Sequence, residues 1–298
     1  MKYSVEALDA FTHRFSIEMD PAEVDAELKH TYAEFAFKFP FAKEAEGDYY
    51  APGEVPLEVI DAAFGAEAVA ATAGIALCEK GFAQALVAED LVKIGDPDFA
   101  CPTQPAAHES FVFTAEVVCS PQYELSSYEP LKIYLPSMGT NAGMSPILQK
   151  MRENEALHAL QERLLGEIPE IMIDMQEEIQ LQEIYAKANA QNMAFEKYLI
   201  QQRIDPDQFK EELSQQAEEM VRRNLALEAW GRHIGIEISD AMIASNFKRS
   251  GVPYPELEEA QWRANGRITE LRAAIRRAGA LRDIMQTLQV ETVEIEAH

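Results

Sequence analysis

The chain has 298 residues, 47% of them hydrophobic and 9% aromatic, which is enough apolar material for packed domains. Its 26 Lys and Arg residues against 51 Asp and Glu give a formal net charge of −25. This acidity argues against direct binding to nucleic acid or to an anionic membrane surface, because both rest on Lys and Arg contacts.

The first half of the chain mixes predicted strands with predicted helices. Apolar and polar residues alternate over 11–19, which predicts a half-buried strand. Asp20 and Pro21 then predict a helix start, because Asp20 can cap free N–H groups and Glu23 occupies the capping-box position. We expect this helix to end near Lys38.

The positions of Pro and Gly and the spacing of apolar residues predict further helices and strands in the first half. In chain order they are an exposed loop over 40–56, helices over 56–63 and from Gly65 to about Ala88, and strands over 111–119 and 131–135. Together these elements predict an α+β N-terminal domain over 1–135.

The second half is predicted to be helical almost throughout. The stretch 136–145 is rich in Pro, Gly, Ser and Asn and predicts a linker, which leaves an all-α domain over 146–298. Its helices are expected over 145–166, from Pro169 to Asp205, from there to about Gly235, from Ser239 to before Gly251, and over 256–289. The second of these would span roughly 50 Å and is expected to project from its domain.

Charge is unevenly distributed between the halves. Residues 1–130 hold 7 Lys or Arg and 24 Asp or Glu, a net charge of −17, and the remaining residues have −8. Six arginines between Arg263 and Arg282 form a local basic cluster. This cluster is consistent with a solvated helix face, with pairing to an acidic surface of another domain or subunit, or with an RNA-binding patch.

No catalytic, cofactor-binding or metal-binding pattern is recognisable in the sequence. The histidines do not have helix ligand spacing, and glycine-rich phosphate loops and hydrolase motifs are missing. We therefore expect no enzyme activity, no cofactor and no metal. The widely spaced Cys78, Cys101 and Cys119, a start without a signal-peptide pattern and the lack of a long apolar run predict a cytoplasmic protein.

Several local sequences, in order, resemble the trigger factor family of bacterial chaperones. The matching segments are 3–6, 14–19 with the capped helix from Asp20, 55–60 with Phe64-Gly65, 111–117, 121–125 and 168–174. The resemblance implies an N-terminal domain like the trigger factor ribosome-binding domain and a helical C-terminal domain with protruding arms.

The resemblance also implies an ATP-independent holdase that binds unfolded or nascent polypeptides in an apolar cradle. The acidity of the chain favours basic clients. Methionine suits surfaces that adapt to many partners, although ordinary core packing explains the same pattern. The candidate client contacts are Met172, Met175, Met193, Tyr198, Leu199, Met220 and Trp230. A homodimer is a further possibility that the sequence leaves open.

Two departures from the family pattern change these expectations. The linker 136–145 stands where trigger factors usually carry a peptidyl-prolyl isomerase domain of the FKBP type, so isomerase activity is not expected. The family's ribosome-docking loop is basic, whereas residues 39–56 have Lys43 against four acids, a net charge of −3. The degraded counterpart of that loop consists of Phe39, Phe41, Ala42, Lys43, Gly47 and Pro56.

Loss of basic residues predicts that ribosome docking is lost, because phosphate repels an acidic loop. The loop aromatics Phe39, Phe41, Tyr49 and Tyr50 are a second candidate set for client or subunit contacts, or they pack beneath the loop. Two alternative functions stay open at this point: an assembly or scaffold protein with one dedicated partner, and a residual prolyl isomerase.

Overall fold

The computed structural model describes residues 1–38, 55–136 and 145–293. It divides the chain into two compact units. Unit 1 contains the described parts of Met1–Pro121 together with Ala241–Leu271, and unit 2 contains Gln122–Asp240 together with the segment from Arg272 onward. These units are discontinuous in sequence and do not follow the linker at 136–145. The sequence-based domain division stays a prediction.

The described residues form the following helices and strands. The strands are β1 Lys2–Ala7, β2 Thr12–Met19, β3 Lys93–Ala100, β4 Phe111–Cys119, β5 Lys132–Pro136 and β6 Gln289–Val293. The helices are α1 Pro21–Lys38, α2 Leu57–Phe64, α3 Ala66–Ala88, α4 Ser145–Gln161, α5 Glu170–Ala190, α6 Phe195–Gln202, α7 Pro206–His233, α8 Asp240–Arg249, α9 Pro255–Ala264 and α10 Ile268–Thr287. The predicted fold class, an α+β N-terminal region followed by a helical C-terminal region, is confirmed.

Unit 1 is built on an antiparallel sheet of four strands in the order β1-β2-β4-β3. The alternation over 11–19 forms the predicted half-buried strand, β2. Phe15, Ile17 and Met19 are fully buried on one face, and Ser16 on the other face is exposed. The capping box at α1 is present as well, since the Asp20 N–H donates to Glu23 Oε2 at 3.0 Å.

The sheet of unit 1 packs closely against α3. Phe15 meets Phe82 of α3 edge to face, with ring centroids 5.3 Å apart. Helix and sheet approach most closely at Gly81, where an added Cβ would lie 2.8 Å from Met19 Sδ and 3.1 Å from Phe113 Cζ. Glycine therefore allows the buried helix to lie directly on the sheet.

Unit 2 contains α4, α5, α6, α7 and the part of α10 from Arg272 onward, with a two-stranded parallel sheet of β5 and β6. Its core draws on several of these elements, including Leu131, Leu160, Leu225, Trp230 and Ile284. The long crossover between β5 and β6 brings distant segments together, as parallel pairing requires.

The prediction of one helix from Pro169 to Asp205 was wrong, because the structure has two helices there. The first, α5, ends at Ala190, and Asn192 adopts a left-handed conformation with φ of 51°. Asparagine tolerates this conformation better than most residues, so it ends the helix at low cost. The ring of Phe195 on α6 then packs on Tyr185 of α5, with centroids 4.4 Å apart.

The prediction of one helix over 256–289 was also wrong. The structure has α9 and α10 separated by Asn265–Arg267, with Gly266 at φ of +78°. A Cβ at Gly266 would lie 3.2 Å from Leu86 Cδ2. Both the positive φ and the contact with α3 require glycine, so the helix is interrupted where it meets α3.

Among the described residues, no single helix is long and apolar enough to cross a membrane. One pair, α2 and α3, passes that test together by length and composition, although the two helices are bent by 96° at their junction.

Candidate functional site

An exposed apolar stripe runs along α5 of unit 2. Ile171, Met175 and Ile179 are 41%, 42% and 50% exposed, and Tyr185 further along the helix is 44% exposed. Residues four apart lie on one face of an α-helix, and Tyr185 follows Ile171 by nearly four full turns. These four side chains, called the α5 stripe below, therefore share one solvent-exposed face.

Acidic side chains run beside the α5 stripe. Asp174 and Glu178 immediately precede Met175 and Ile179, are four residues apart, and are both exposed. They form a second row on the neighbouring part of the helix surface, called the acidic row below. The whole of α5 holds five acidic residues and one Lys. An apolar surface edged by negative charge can bury apolar side chains and attract cationic ones.

The opposite side of α5 holds the helix in place. Ala188 is buried, and Ile173, Leu181 and Ile184 are half-buried. The helix packs against α7, and Met172 contributes to the core of unit 2. One face of α5 is thus used for packing, whereas Ile171, Met175 and Ile179 lie on the exposed face. Tyr185 is also exposed, although one side of its ring packs on Phe195 of α6.

The arginine cluster is occupied by ion pairs within the chain. Arg263 pairs with Glu259 at 2.9 Å, and Arg267 pairs with Glu270 at 3.3 Å while lying 4.1 Å from the centroid of the Trp262 ring. Arg276 and Arg277 both pair with Glu228 of α7. Pairing with acidic residues of the same chain accounts for these four arginines.

Metal-binding geometry is not found in the described ranges 1–38, 55–136 and 145–293. No group of three or more His, Cys, Asp or Glu side chains there could hold a metal ion.

Both halves of the chain match models of one protein family. Residues 1–140 match the family described as bacterial trigger factor protein (TF), and residues 146–286 match the bacterial trigger factor protein (TF) C-terminus. The chain belongs to the bacterial trigger factor family. Only residues 141–145 lie between the two matches, too few to fold into an isomerase domain.

Individual relatives are distant. Trigger factor of Mycobacterium avium (strain 104) is 25% identical over 299 residues, covering 99% of this chain and 62% of the relative. Trigger factor of Corynebacterium glutamicum (strain R) is 29% identical over 138 residues, covering 46% of this chain and 29% of the relative. The chain therefore spans less than two thirds of the length of these trigger factors.

A solved structure of the trigger factor chaperone, described for promiscuous substrate recognition in folding and assembly, is also similar. It shares 10% identity, covers 96% of this chain and 99% of its own, and superposes with a TM-score of 0.46.

The client contacts predicted from the trigger factor resemblance lie in different environments. Met175 and Met220 are exposed, and Met172, Met193 and Tyr198 are half-buried. Leu199 and Trp230 are each only 3% exposed, and the Trp230 indole N–H donates to Asp283 Oδ2 at 2.8 Å. The structure brings Met175 into the α5 stripe and places Trp230 in the core of unit 2.

Most of the counterpart of the trigger factor docking loop lies outside the described residues. This holds for Phe39, Phe41, Ala42, Lys43 and Gly47, and for the loop tyrosines Tyr49 and Tyr50. Pro56 is described and exposed, and its carbonyl accepts the N–H groups of Val59 and Ile60 at the start of α2. Pro56 therefore has a structural role at a helix N-terminus.

Sequence reasoning missed three members of the α5 stripe, which are Ile171, Ile179 and Tyr185. The predicted contacts were apolar residues of the helices, methionines above all, without regard to their spacing. The signal was present, because Ile171, Met175 and Ile179 are spaced by four residues next to acidic positions. Ile200 of α6, which is 69% exposed, was missed for the same reason.

Proposed function

We propose that this chain is an ATP-independent holdase chaperone that binds unfolded or nascent polypeptides through the α5 stripe and the acidic row. The observation that carries the proposal is the exposed apolar face of α5 with Ile171, Met175 and Ile179, which lies apart from the buried and half-buried face of the helix. Membership of the trigger factor family supports it. The same membership supports a cytoplasmic location.

Apolar burial explains how such a surface could hold many clients. Burial of apolar area contributes about 25 cal/mol per Å² and is not directional, so it sets few demands on client sequence. A stripe of four side chains is small, and binding through it should be weak and reversible without a nucleotide cycle. Met175 adds a flexible side chain that can adapt to clients of different shape.

The acidic row adds a preference among clients. Basic residues flanking an apolar client segment would lie near Asp174 and Glu178, where opposite charges attract. The overall charge of −25 adds long-range steering toward basic polypeptides and keeps complexes soluble. We therefore propose unfolded segments of mixed apolar and basic composition as the preferred client class.

Changing the α5 stripe should weaken client binding. The double variant Ile171→Gln with Ile179→Gln removes two apolar contacts and keeps good helix propensity. Each Ile side chain that a bound client covers contributes about 1.5–3 kcal/mol to the free energy of binding. The dissociation constant for a labelled unfolded client should therefore rise at least about tenfold. Fluorescence anisotropy titration measures this change.

A matched control keeps the number and type of substitutions. Leu57→Gln with Leu257→Gln changes two apolar side chains that are 54% and 59% exposed in unit 1. This variant should bind the client like the unchanged protein. If the stripe variant binds the client as tightly as the unchanged protein, the client binds at another surface and the proposal is wrong.

Neutralising the acidic row should act on basic clients only. Asp174→Asn with Glu178→Gln is expected to weaken binding of a basic unfolded peptide severalfold at low salt. The difference should shrink at about 0.5 M salt, because exposed charges are screened. An acidic peptide of the same apolar content, and the variant Glu67→Gln with Glu256→Gln, are the controls. Loss of affinity that is equal for both peptides would contradict the charge preference.

We also propose that the chain lacks prolyl isomerase activity and does not dock on ribosomes. The first proposal is supported by the adjacency of the two family matches, and the second by the net charge of −3 over 39–56. A proline-limited refolding assay should show no acceleration. Ribosome co-sedimentation at low salt should leave the protein in the supernatant.

A dedicated basic assembly partner is a second candidate function, and the acidic row is the observation that favours it. Pull-down of one partner at fixed stoichiometry would support this alternative, whereas retention of many unfolded proteins supports the holdase. The homodimer stays a prediction that sedimentation velocity can test.

A further inference from the structure

Two cysteines of unit 1 meet although they are 23 positions apart in sequence. Cys78 lies on α3, and Cys101 directly follows β3. Their Sγ atoms are 3.2 Å apart. Cys78 is buried at 1% exposure, whereas Cys101 is exposed. The pair therefore combines one protected sulfur with one that solvent can reach.

The separation is short enough for a disulfide after a small movement. An S–S bond is about 2.05 Å long, so the two sulfurs need to approach by about 1.2 Å. Cys101 begins a segment over 101–110 that is neither helix nor strand. Such a segment can absorb this shift more easily than α3.

We propose that Cys78 and Cys101 form a reversible intramolecular disulfide when the protein meets hydrogen peroxide. The exposed Cys101 gives up its thiol proton and attacks one peroxide oxygen, the O–O bond breaks, and Cys101 becomes a sulfenic acid. The departing hydroxide takes up the released proton and leaves as water. The Cys78 thiol then attacks the sulfenic sulfur, the S–O bond breaks, and the hydroxyl leaves as a second water with the Cys78 proton. Two thiols are oxidised to one disulfide, and one hydrogen peroxide is reduced to two waters.

The surroundings of the three cysteines fix this order of events. Burial raises the pKa of the Cys78 thiol, and its contact with Cys101 raises it further. Cys78 is therefore not the group that reacts first, because the thiolate is the nucleophile. As the resolving group, it passes its proton to the departing hydroxyl of the sulfenic acid while it attacks the sulfur. Burial likewise raises the pKa of Cys119 on β4 to about 12, which keeps this third thiol unreactive.

Both cysteines also border an apolar cavity in unit 1. The cavity has a volume of about 410 Å³, and Gly74, Phe99, Pro105 and Phe111 contribute to its lining. A Cys78–Cys101 bond would tie the 101–110 segment to α3 at the border of this cavity. Oxidation should therefore protect that segment from proteases. The site lies on residues that the proposed client contact does not use.

Peroxide treatment of the folded full-length chain tests the proposal. The chain has three cysteines, and the number of free thiols counted after denaturation should fall from three to one. Peptide mapping should recover a Cys78–Cys101 crosslink with the loss of two hydrogen atoms, and dithiothreitol should restore all three thiols. Cys101→Ser should give no crosslinked peptide.

The matched control is Cys119→Ser, which should form the same crosslink as the unchanged chain. Three outcomes would overturn the proposal: three free thiols after treatment, Cys101 sulfinic acid without a crosslink, or disulfide-linked dimers through Cys101. Circular dichroism before treatment establishes that each variant is folded.

Discussion

Glu228→Gln should lower the free energy of unfolding of unit 2 by about 3 kcal/mol or more, because it removes the negative charge from a largely buried ion-pair network. The Glu228 side chain is 13% exposed and pairs with Arg232, Arg276 and Arg277. Arg276 is itself buried, and burial lowers the pKa of Arg277, which shows the cost of desolvating these charges.

The two tryptophans make the measurement specific, since Trp230 lies in unit 2 and Trp262 in unit 1. Urea unfolding followed by Trp230 fluorescence in a Trp262→Phe background therefore reports on unit 2. Glu218→Gln is the matched control. The Glu218 side chain is 45% exposed, and its i,i+4 ion pair with Arg222 is expected to contribute about 0.3–0.5 kcal/mol to the free energy of unfolding. Similar shifts for both variants would contradict the importance of the buried network.

Phe113→Ala is expected to destabilise unit 1 by about 3–5 kcal/mol, since it opens a cavity in the sheet core. Phe113 is fully buried on β4. Its ring stacks on Phe111 with centroids 5.7 Å apart and meets Phe99 at 6.0 Å. Gly81 of α3, whose added Cβ would lie 3.1 Å from Phe113 Cζ, has no side chain of its own that could fill the space.

Val112→Ala is the control for Phe113→Ala on the same strand. Val112 is 46% exposed on the other face of β4, so its truncation should cost about 1 kcal/mol or less. Urea unfolding followed by circular dichroism measures both variants. A loss for Phe113→Ala as small as that for Val112→Ala would show that the core of unit 1 does not rest on this face of β4.

Local signals predicted much of the fold. Capping at Asp20, the proline before α2 and the glycine between α2 and α3 act within a few residues, and the structure has helices with those boundaries. Strand β3 was not predicted, because its sequence KIGDPDFA contains Gly, Pro and two Asp residues and does not alternate between apolar and polar residues. Strand β6 is stabilised by pairing with β5, more than 150 positions earlier, and no local pattern shows such a contact.

The same limit applies to the interrupted helices. Both breaks occur where a helix meets another element, at Phe195 against Tyr185 and at Gly266 against α3. Helical periodicity continues through each break, so the sequence alone suggests one long helix. The contacts that favour a break become visible only in three dimensions.

The candidate site was predictable in part. The predicted client contacts include Met175, which lies in the α5 stripe, and Trp230, which is buried. The helices of unit 2 carry apolar residues on several faces, and composition does not tell which face packs. Met175 is exposed in the folded chain and Trp230 is not, which distinguishes the two. The spacing of four residues then identifies Ile171 and Ile179 as neighbours of Met175 on the same helix face.

The central claim is that the α5 stripe holds aggregation-prone clients, and isothermal light scattering tests it most directly. A chemically unfolded enzyme of net positive charge is diluted into buffer with equimolar full-length chain. The account predicts that the unchanged chain suppresses scattering, that Leu57→Gln with Leu257→Gln does so equally, and that Ile171→Gln with Ile179→Gln does not. Unsuppressed aggregation with the unchanged chain, or full suppression by the stripe variant, would contradict it.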